Sequence, residues 1–317
     1  MKTITLNDGN AMPAFGLGTW KSKPGEVRDA VVEAVKAGYR HIDCAWIYGN
    51  ESEVGDALVT LFDEGVVTRE ELWITSKLWN DRHRAEHVEG ALRETLANLK
   101  LERLDLYLIH WPVVLKHGVV FPKEASDLRG LDEVPLSETW GAMEGLVDAG
   151  LTRSIGVSNF SVEKLRATAD GARIPPAVNQ VELHPYLQQD DLLAFAREAD
   201  VALTAYSPLG SMDRADSMKA EDEPVLLEDE TVGAVASKHG VTPAQVLIAW
   251  ALARGTAVIP KSVNPGRIRQ NLAATEIALD EEDLARIAEL DRHRRYVDGS
   301  FWAKEGGPYS LSSLWDE

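Results

Sequence analysis

LWITSKLWNDRHRAEHVEGALRETLANLKLERLDLYLIH (72–110) reads as strand, helix, strand. Leu72–Lys77 and Leu104–His110 are short apolar runs rich in branched and aromatic residues. Between them, Ala85–Leu99 repeats its apolar residues at helical spacing. Strands joined through a helix run parallel, and a parallel sheet is covered on both faces. A strand buried on both faces should end in a turn residue, yet these two end in Lys77 and His110. Polar groups recurring at the same end of successive strands point to one shared mouth where chemistry happens.

The alternation extends in both directions. Further strands are expected at Phe15–Thr19, His41–Ala45, Ser154–Ser158, Val178–Glu182, Ala202–Ser207 and Thr256–Pro260. Helical patterns fall at Glu26–Ala37, Glu51–Leu61, Ser137–Asp148, Val162–Thr168, Asp190–Glu198, Asp229–Lys238 and Arg267–Ala273, the last with Pro265 near its start. Eight strands in βα order predict an α/β fold of the (β/α)8 TIM-barrel type better than two doubly wound sheets. Residues 1–317 are expected to form one barrel domain. Residues 1–14 carry an Asn-Asp-Gly-Asn turn signal, so a hairpin is expected to plug the barrel bottom. Long loops at 111–136 and 208–228 and the aromatic tail 292–317 are expected to wall a pocket at the C-terminal mouth.

Bulk composition narrows the function. The 317 residues are 44% hydrophobic, which suits a sizeable core. No apolar run approaches the roughly 20 residues that a membrane helix requires. With 33 Lys and Arg against 51 Asp and Glu, the formal charge of −18 argues against nucleic acid or an anionic membrane as partner. A phosphorylated ligand would need a local cluster of positive charge. Cys44 is the only cysteine, which excludes an internal disulfide and suits a reducing cytoplasm. The start of the chain has no signal-peptide pattern, so a cytoplasmic location is expected. The acidity fits either ordinary solubility or adaptation to salt.

Asp43 and Tyr48 lie in Arg-His-Ile-Asp-Cys-Ala-Trp-Ile-Tyr-Gly-Asn-Glu (40–51). A free tyrosine is a poor acid, with a pKa of ~10. An ammonium such as that of Lys77 stabilises its phenolate, and a carboxylate such as Asp43 keeps the ammonium charged and in place. His110 would donate a hydrogen bond that orients a carbonyl oxygen. Tyr48, tuned by Lys77 and Asp43, therefore becomes the candidate for proton transfer.

Three stretches, in order, make the chain resemble the aldo-keto reductases over nearly its whole length. They are His-Ile-Asp-Cys-Ala-Trp-Ile-Tyr-Gly-Asn-Glu (41–51), Gly-Leu-Thr-Arg-Ser-Ile-Gly-Val-Ser-Asn-Phe (150–160) and Ile-Pro-Lys-Ser (259–262). The resemblance implies that Tyr48 is the general acid, with Lys77, Asp43 and His110 assisting. It also implies a nicotinamide cofactor bound across the barrel mouth, which accommodates the lack of a full Gly-x-Gly-x-x-Gly. By resemblance, Ser158, Asn159 and Gln180 bind the carboxamide, and Tyr206 stacks on the ring, near Thr19 and Trp20. Ser207, Leu209 and Ser211 would line the pyrophosphate path. Lys261, Ser262, Val263 and Arg267 would form a 2′-phosphate site, with Gln270 and Asn271 near the adenine. NADPH is thus the expected cofactor, with hydride delivery from the 4-pro-R face. Trp20, Ile47, Trp79, Trp111, Phe121 and Trp302 match the apolar wall for a small carbonyl substrate such as an aldehyde or aldose.

Other readings remain at this stage. His83-Arg-Ala-Glu-His87 fits a zinc-protease pattern but reads better as a solvated helix start. Asp43, His110 and His184 could serve a barrel metallohydrolase, although no His-x-His pair is present, and no metal is expected. An NADPH-binding redox-sensing or regulatory module with little turnover is the alternative from another class. A monomer is expected from the family, with a dimer as the alternative.

Overall fold

Residues 2–220 and 223–317 are described by the computed structural model. Strands β1 (Thr3–Thr5) and β2 (Ala11–Pro13) pair antiparallel, with Ile4 opposite Met12. Leu6 and Met12 of this hairpin pack against Trp73, Leu106, Leu108 and Val178, so the hairpin does plug one end of a barrel.

The barrel begins with β3 (Leu17–Gly18), β4 (His41–Asp43), β5 (Trp73–Leu78) and β6 (Leu104–Ile109). In the long loop that follows, β7 (Val114–Leu115) and β8 (Leu128–Arg129) pair antiparallel. The barrel resumes with β9 (Thr152–Ser158), β10 (Val178–Glu182), β11 (Ala202–Tyr206) and β12 (Ala257–Val258). These eight strands hydrogen-bond in chain order. Parallel bridges from Phe15 to Val258 and from Gly18 to Lys261 bring the two edges together. The first and last strands are shorter than their sequence reading. Both lie at that seam, and Pro260 has no N–H to extend the ladder.

Around the sheet run α1 (Glu26–Ala37), α2 (Glu51–Asp63), α3 (Ala85–Leu99), α4 (Leu136–Asp148), α5 (Val162–Gly171) and α6 (Asp190–Glu198). Next come α7 (Glu230–His239), α8 (Pro243–Ala253), α9 (Pro265–Ala273), α10 (Glu281–Ala288) and α11 (Leu311–Trp315). Helices α8, α10 and α11 fall outside the eight-unit reading. Val246 to Ala251 of α8 are all buried, so it shows no amphipathic period to read. Its start is nonetheless written in the sequence: Thr242 and Gln245 form a capping box, and Pro243 occupies the first turn. Among the described residues, no helix is long and apolar enough to cross a membrane.

Period-two alternation sorts the strand side chains. Ile74 and Leu78 of β5, with Tyr107 and Ile109 of β6, join the core beneath the helices. Trp73, Leu106 and Leu108 face the lumen. Lys77 and His110 share the lumenal parity at the opposite end, so the residues that break the apolar pattern point into the barrel. Gly156 of β9 belongs to this crowded interior. A Cβ there would come within 2.4 Å of Val178 O and 2.8 Å of Leu108 Cδ2.

Candidate active site

Asp43 closes β4, and Tyr48 ends the single helical turn Trp46–Tyr48 that follows. Lys77 lies one residue from the end of β5, and His110 directly follows β6. The barrel brings all four to one mouth. Lys77 Nζ donates to Asp43 Oδ1 at 2.6 Å, to Cys44 O at 2.8 Å and to the Tyr48 hydroxyl at 3.4 Å. Gln180 Nε2 donates to the other Asp43 oxygen at 2.7 Å. Asp43 and Lys77 are almost wholly buried, so this ion pair is screened little by water.

Burial pushes the Tyr48 phenol well above its usual value, and the charge on Asp43 adds to the rise. The direction differs from the sequence expectation that Lys77 and Asp43 draw the phenol down. The Lys77 ammonium is itself paired with Asp43 at 2.6 Å, nearer than the Tyr48 hydroxyl at 3.4 Å. In the free site Tyr48 therefore holds its proton. Burial, reinforced by the Lys77 charge, takes His110 well below its usual range, so its ring is neutral at pH 7. Its Nδ1 is buried without a partner among the described residues, and its ring stands edge-on to Tyr48 at 5.9 Å and to Trp79 at 5.2 Å.

Beside these four, a chain of amides and hydroxyls crosses the mouth. Tyr206 donates to Asn159 Oδ1 at 2.7 Å, and Asn159 Nδ2 donates to His110 O at 2.9 Å and Ser158 Oγ at 3.2 Å. Ser158 Oγ donates in turn to Gln180 O at 2.8 Å. Thr19 donates its hydroxyl to Asp43 O at 2.8 Å.

Asp43, Tyr48, His110, Thr19, Ser158, Asn159, Gln180 and Tyr206 open onto one cavity of about 790 Å³, while Lys77 lies behind its wall. Of the expected cofactor residues, Thr19, Trp20, Ser158, Asn159, Gln180, Tyr206, Ser207, Leu209, Ser211, Lys261, Ser262, Val263 and Arg267 line it. Gln270 and Asn271 do not, lying farther along α9. The Asn264 side chain caps α9 by accepting from Arg267 N at 3.0 Å, which fixes the helix start at the cavity rim. Among the described residues, the Arg267 guanidinium has no carboxylate partner.

One link across this rim was not read from the sequence. Lys21 Nζ donates to Ser211 Oγ at 2.9 Å and to Asp213 Oδ1 at 2.6 Å, while Lys261 Nζ lies 3.6 Å from Asp213 Oδ2. Burial lowers the Lys21 ammonium despite the opposing pull of Asp213. The link ties the segment after β3 to the long loop after β11. Single charges in two loops carry no periodicity, and only the folded chain pairs them.

Trp20, Ile47, Trp79, Trp111 and Phe121 line the apolar part of the cavity. Trp302 does not: it is fully buried behind the wall, 5.7 Å from Trp79 and 6.0 Å from Trp111. The tail supplies Val297 and Phe301 to the cavity instead. Phe301 is partly exposed while its neighbour is sealed, a distinction that composition alone does not make.

The histidine decoys resolve differently from their sequence reading. His83 precedes α3 and is fully buried, with neither ring nitrogen partnered among the described residues, so it is not a solvated helix start. His87 stacks on His117 at 3.9 Å. His184 donates through Nε2 to Glu182 at 2.8 Å. Among the described residues, no group of three or more His, Cys, Asp or Glu is arranged to hold a metal.

The sequence matches the family model described as Aldo/keto reductase family over residues 12–292. It is 55% identical over 317 residues to a protein named Aldo/keto reductase slr0942 from Synechocystis, covering 100% of this chain and 97% of that one. It is 48% identical over 297 residues to the mouse Aldo-keto reductase family 1 member A1, covering 93% and 91%. Among solved structures, the aldose reductase from Schistosoma japonicum matches with a TM-score of 0.87 at 40% identity, covering 95% of this chain and 96% of that one.

Proposed function

Because the chain belongs to the aldo-keto reductase family, oxidoreductases that act on carbonyl groups, we propose that it reduces small aldehydes and ketones with NADPH, Tyr48 giving the proton. The observation that carries this reading is the shared cavity. It holds Tyr48 and His110 together with Lys261 and Arg267.

The residues fit the cofactor. In a chain of net charge −18, Arg267 in the first turn of α9 has no carboxylate partner among the described residues and lines the same cavity as Lys261, where a helix start favours an anion. A guanidinium there suits bidentate contact with a 2′-phosphate. Ser158, Asn159 and Gln180 offer amide and hydroxyl groups to a carboxamide, beside the Tyr206 ring. When bound, the nicotinamide supplies a hydride to the carbonyl carbon.

The chain's own groups handle the proton. The Tyr48 hydroxyl and the neutral His110 ring orient the carbonyl oxygen. As negative charge develops on that oxygen, the Tyr48 proton moves to it, because an alkoxide is a stronger base than a phenolate. The phenolate left behind faces the Lys77 ammonium, which Asp43 holds at 2.6 Å. The Asp43 carboxylate is in turn fixed by Gln180. Trp20, Trp79, Trp111, Val297 and Phe301 present no charge, which favours an uncharged aromatic or short aliphatic aldehyde over a polyhydroxylated sugar.

Steady-state kinetics with NADPH and benzaldehyde test the reading. Tyr48→Phe should lower kcat by roughly 10²–10⁴-fold, the usual worth of a positioned acid, while NADPH binding is retained. Turnover close to that of the unaltered chain would overturn the assignment. Benzaldehyde should also exceed xylose in kcat/KM.

A further inference from the structure

Glu182 ends β10 at the barrel mouth and is fully buried, yet the proton chemistry does not use it. Its carboxylate is committed elsewhere. Oε1 accepts from Tyr296 N at 2.6 Å and from His184 Nε2 at 2.8 Å, and Oε2 accepts from Val297 N at 2.8 Å. Two consecutive backbone amides of the tail are thus held by one buried charge, and charge-assisted bonds to a carboxylate are among the strong ones. The tail is fixed at the same point from its other side. The Tyr296 hydroxyl donates to Pro224 O at 2.7 Å, and its ring lies 5.0 Å from that of His184. From this anchor the chain enters the cavity, with Val297 and then Phe301 on its wall.

We propose that Glu182 is a positioning residue for the carbonyl substrate, acting through Tyr296 and Val297 to set where the tail wall stands relative to Tyr48. This rests on the reductase reading given above. The tail beyond residue 292 also lies outside the matched family segment. The anchor comes from a barrel strand and the wall from the tail, so the position of the wall is decided where the two meet.

Glu182→Gln tests the proposal, because all three partners are donors. Whichever way the amide turns, its NH₂ faces a backbone N–H of Tyr296 or Val297, and one tail contact is lost. The expected result is a KM for benzaldehyde raised at least about tenfold, the scale of one charge-assisted hydrogen bond. Both kcat and NADPH affinity should stay within about threefold, well under that scale. Trypsin should also cleave faster after Arg294 or Arg295. In the unaltered chain, the amides of Tyr296 and Val297 should exchange far more slowly than those of the exposed Glu305 and Gly306. An unchanged KM, an equal loss of NADPH affinity, or fast exchange at Tyr296 and Val297 would overturn it. The exchange measurement decides alone if the variant does not fold. Absence of benzaldehyde turnover in the unaltered chain would instead sink the reductase reading, and the amides distinguish the two failures.

Discussion

Lys77 and Asp43 sit 2.6 Å apart in a site nearly closed to water, where removing either partner strands a buried charge at a cost of about 3–5 kcal/mol. Such residues stand out in a sequence because they break an apolar alternation, and for this reason the four mouth residues were legible. Glu182 and the Lys21–Asp213 link were not. Glu182 sits in a strand whose polar residues have several possible roles, and Lys21 meets a partner 192 residues away. His83 shows the same limit in reverse, since nothing near it in sequence announces burial. Burial lowers its pKa to about 3. Below about pH 6.5 the unfolded chain therefore binds a proton that the folded chain refuses, and stability falls as pH falls. His83→Leu should remove up to ~1.4 kcal/mol of that loss between pH 7.5 and 5.5. Denaturant midpoints at the two values measure it, and parallel losses in variant and parent would show that His83 does not carry the effect.

Among the elements, α1, α3 and α6 match their sequence-read bounds because each presents an apolar stripe to the sheet. Helix α8 was missed because it is apolar all round. The seam strands β3 and β12 shrank because closure there rests on isolated bridges. Helix α9 combines the Asn264 cap with Arg267, which has no carboxylate partner among the described residues, and its start therefore has both a fixed direction and a charge to offer. Arg267→Ala should weaken NADPH by roughly 10–100-fold, the worth of a charged hydrogen bond, and leave NADH nearly unchanged. Titrations with both cofactors check this. Equal losses would remove the 2′-phosphate assignment and leave Arg267 a surface residue.

At the scale of the whole molecule, a net charge of −18 and a cationic rim on one cavity respond to salt in opposite senses. Screening shortens from ~10 Å at 0.1 M to ~3 Å at 1 M and relieves the mutual repulsion of the acidic surface. It also weakens attraction between the rim and a phosphate. Raising KCl across that range should therefore lift the thermal midpoint while raising the KM for NADPH. A midpoint that falls with KCl would dismiss repulsion as a controlling term, and with it the idea of a salt-adapted surface.

The hairpin plug and the lone cysteine together make the protein easy to orient. Cys44 is fully buried and its thiol is pushed well up by burial, so it offers almost no thiolate to a maleimide. Thr5, by contrast, is exposed on β1 at the plugged end, away from the mouth that holds Tyr48. A Thr5→Cys variant would thus carry a single accessible thiol. Grafted to an electrode or bead through that handle, every copy would stand with its open end facing the solution.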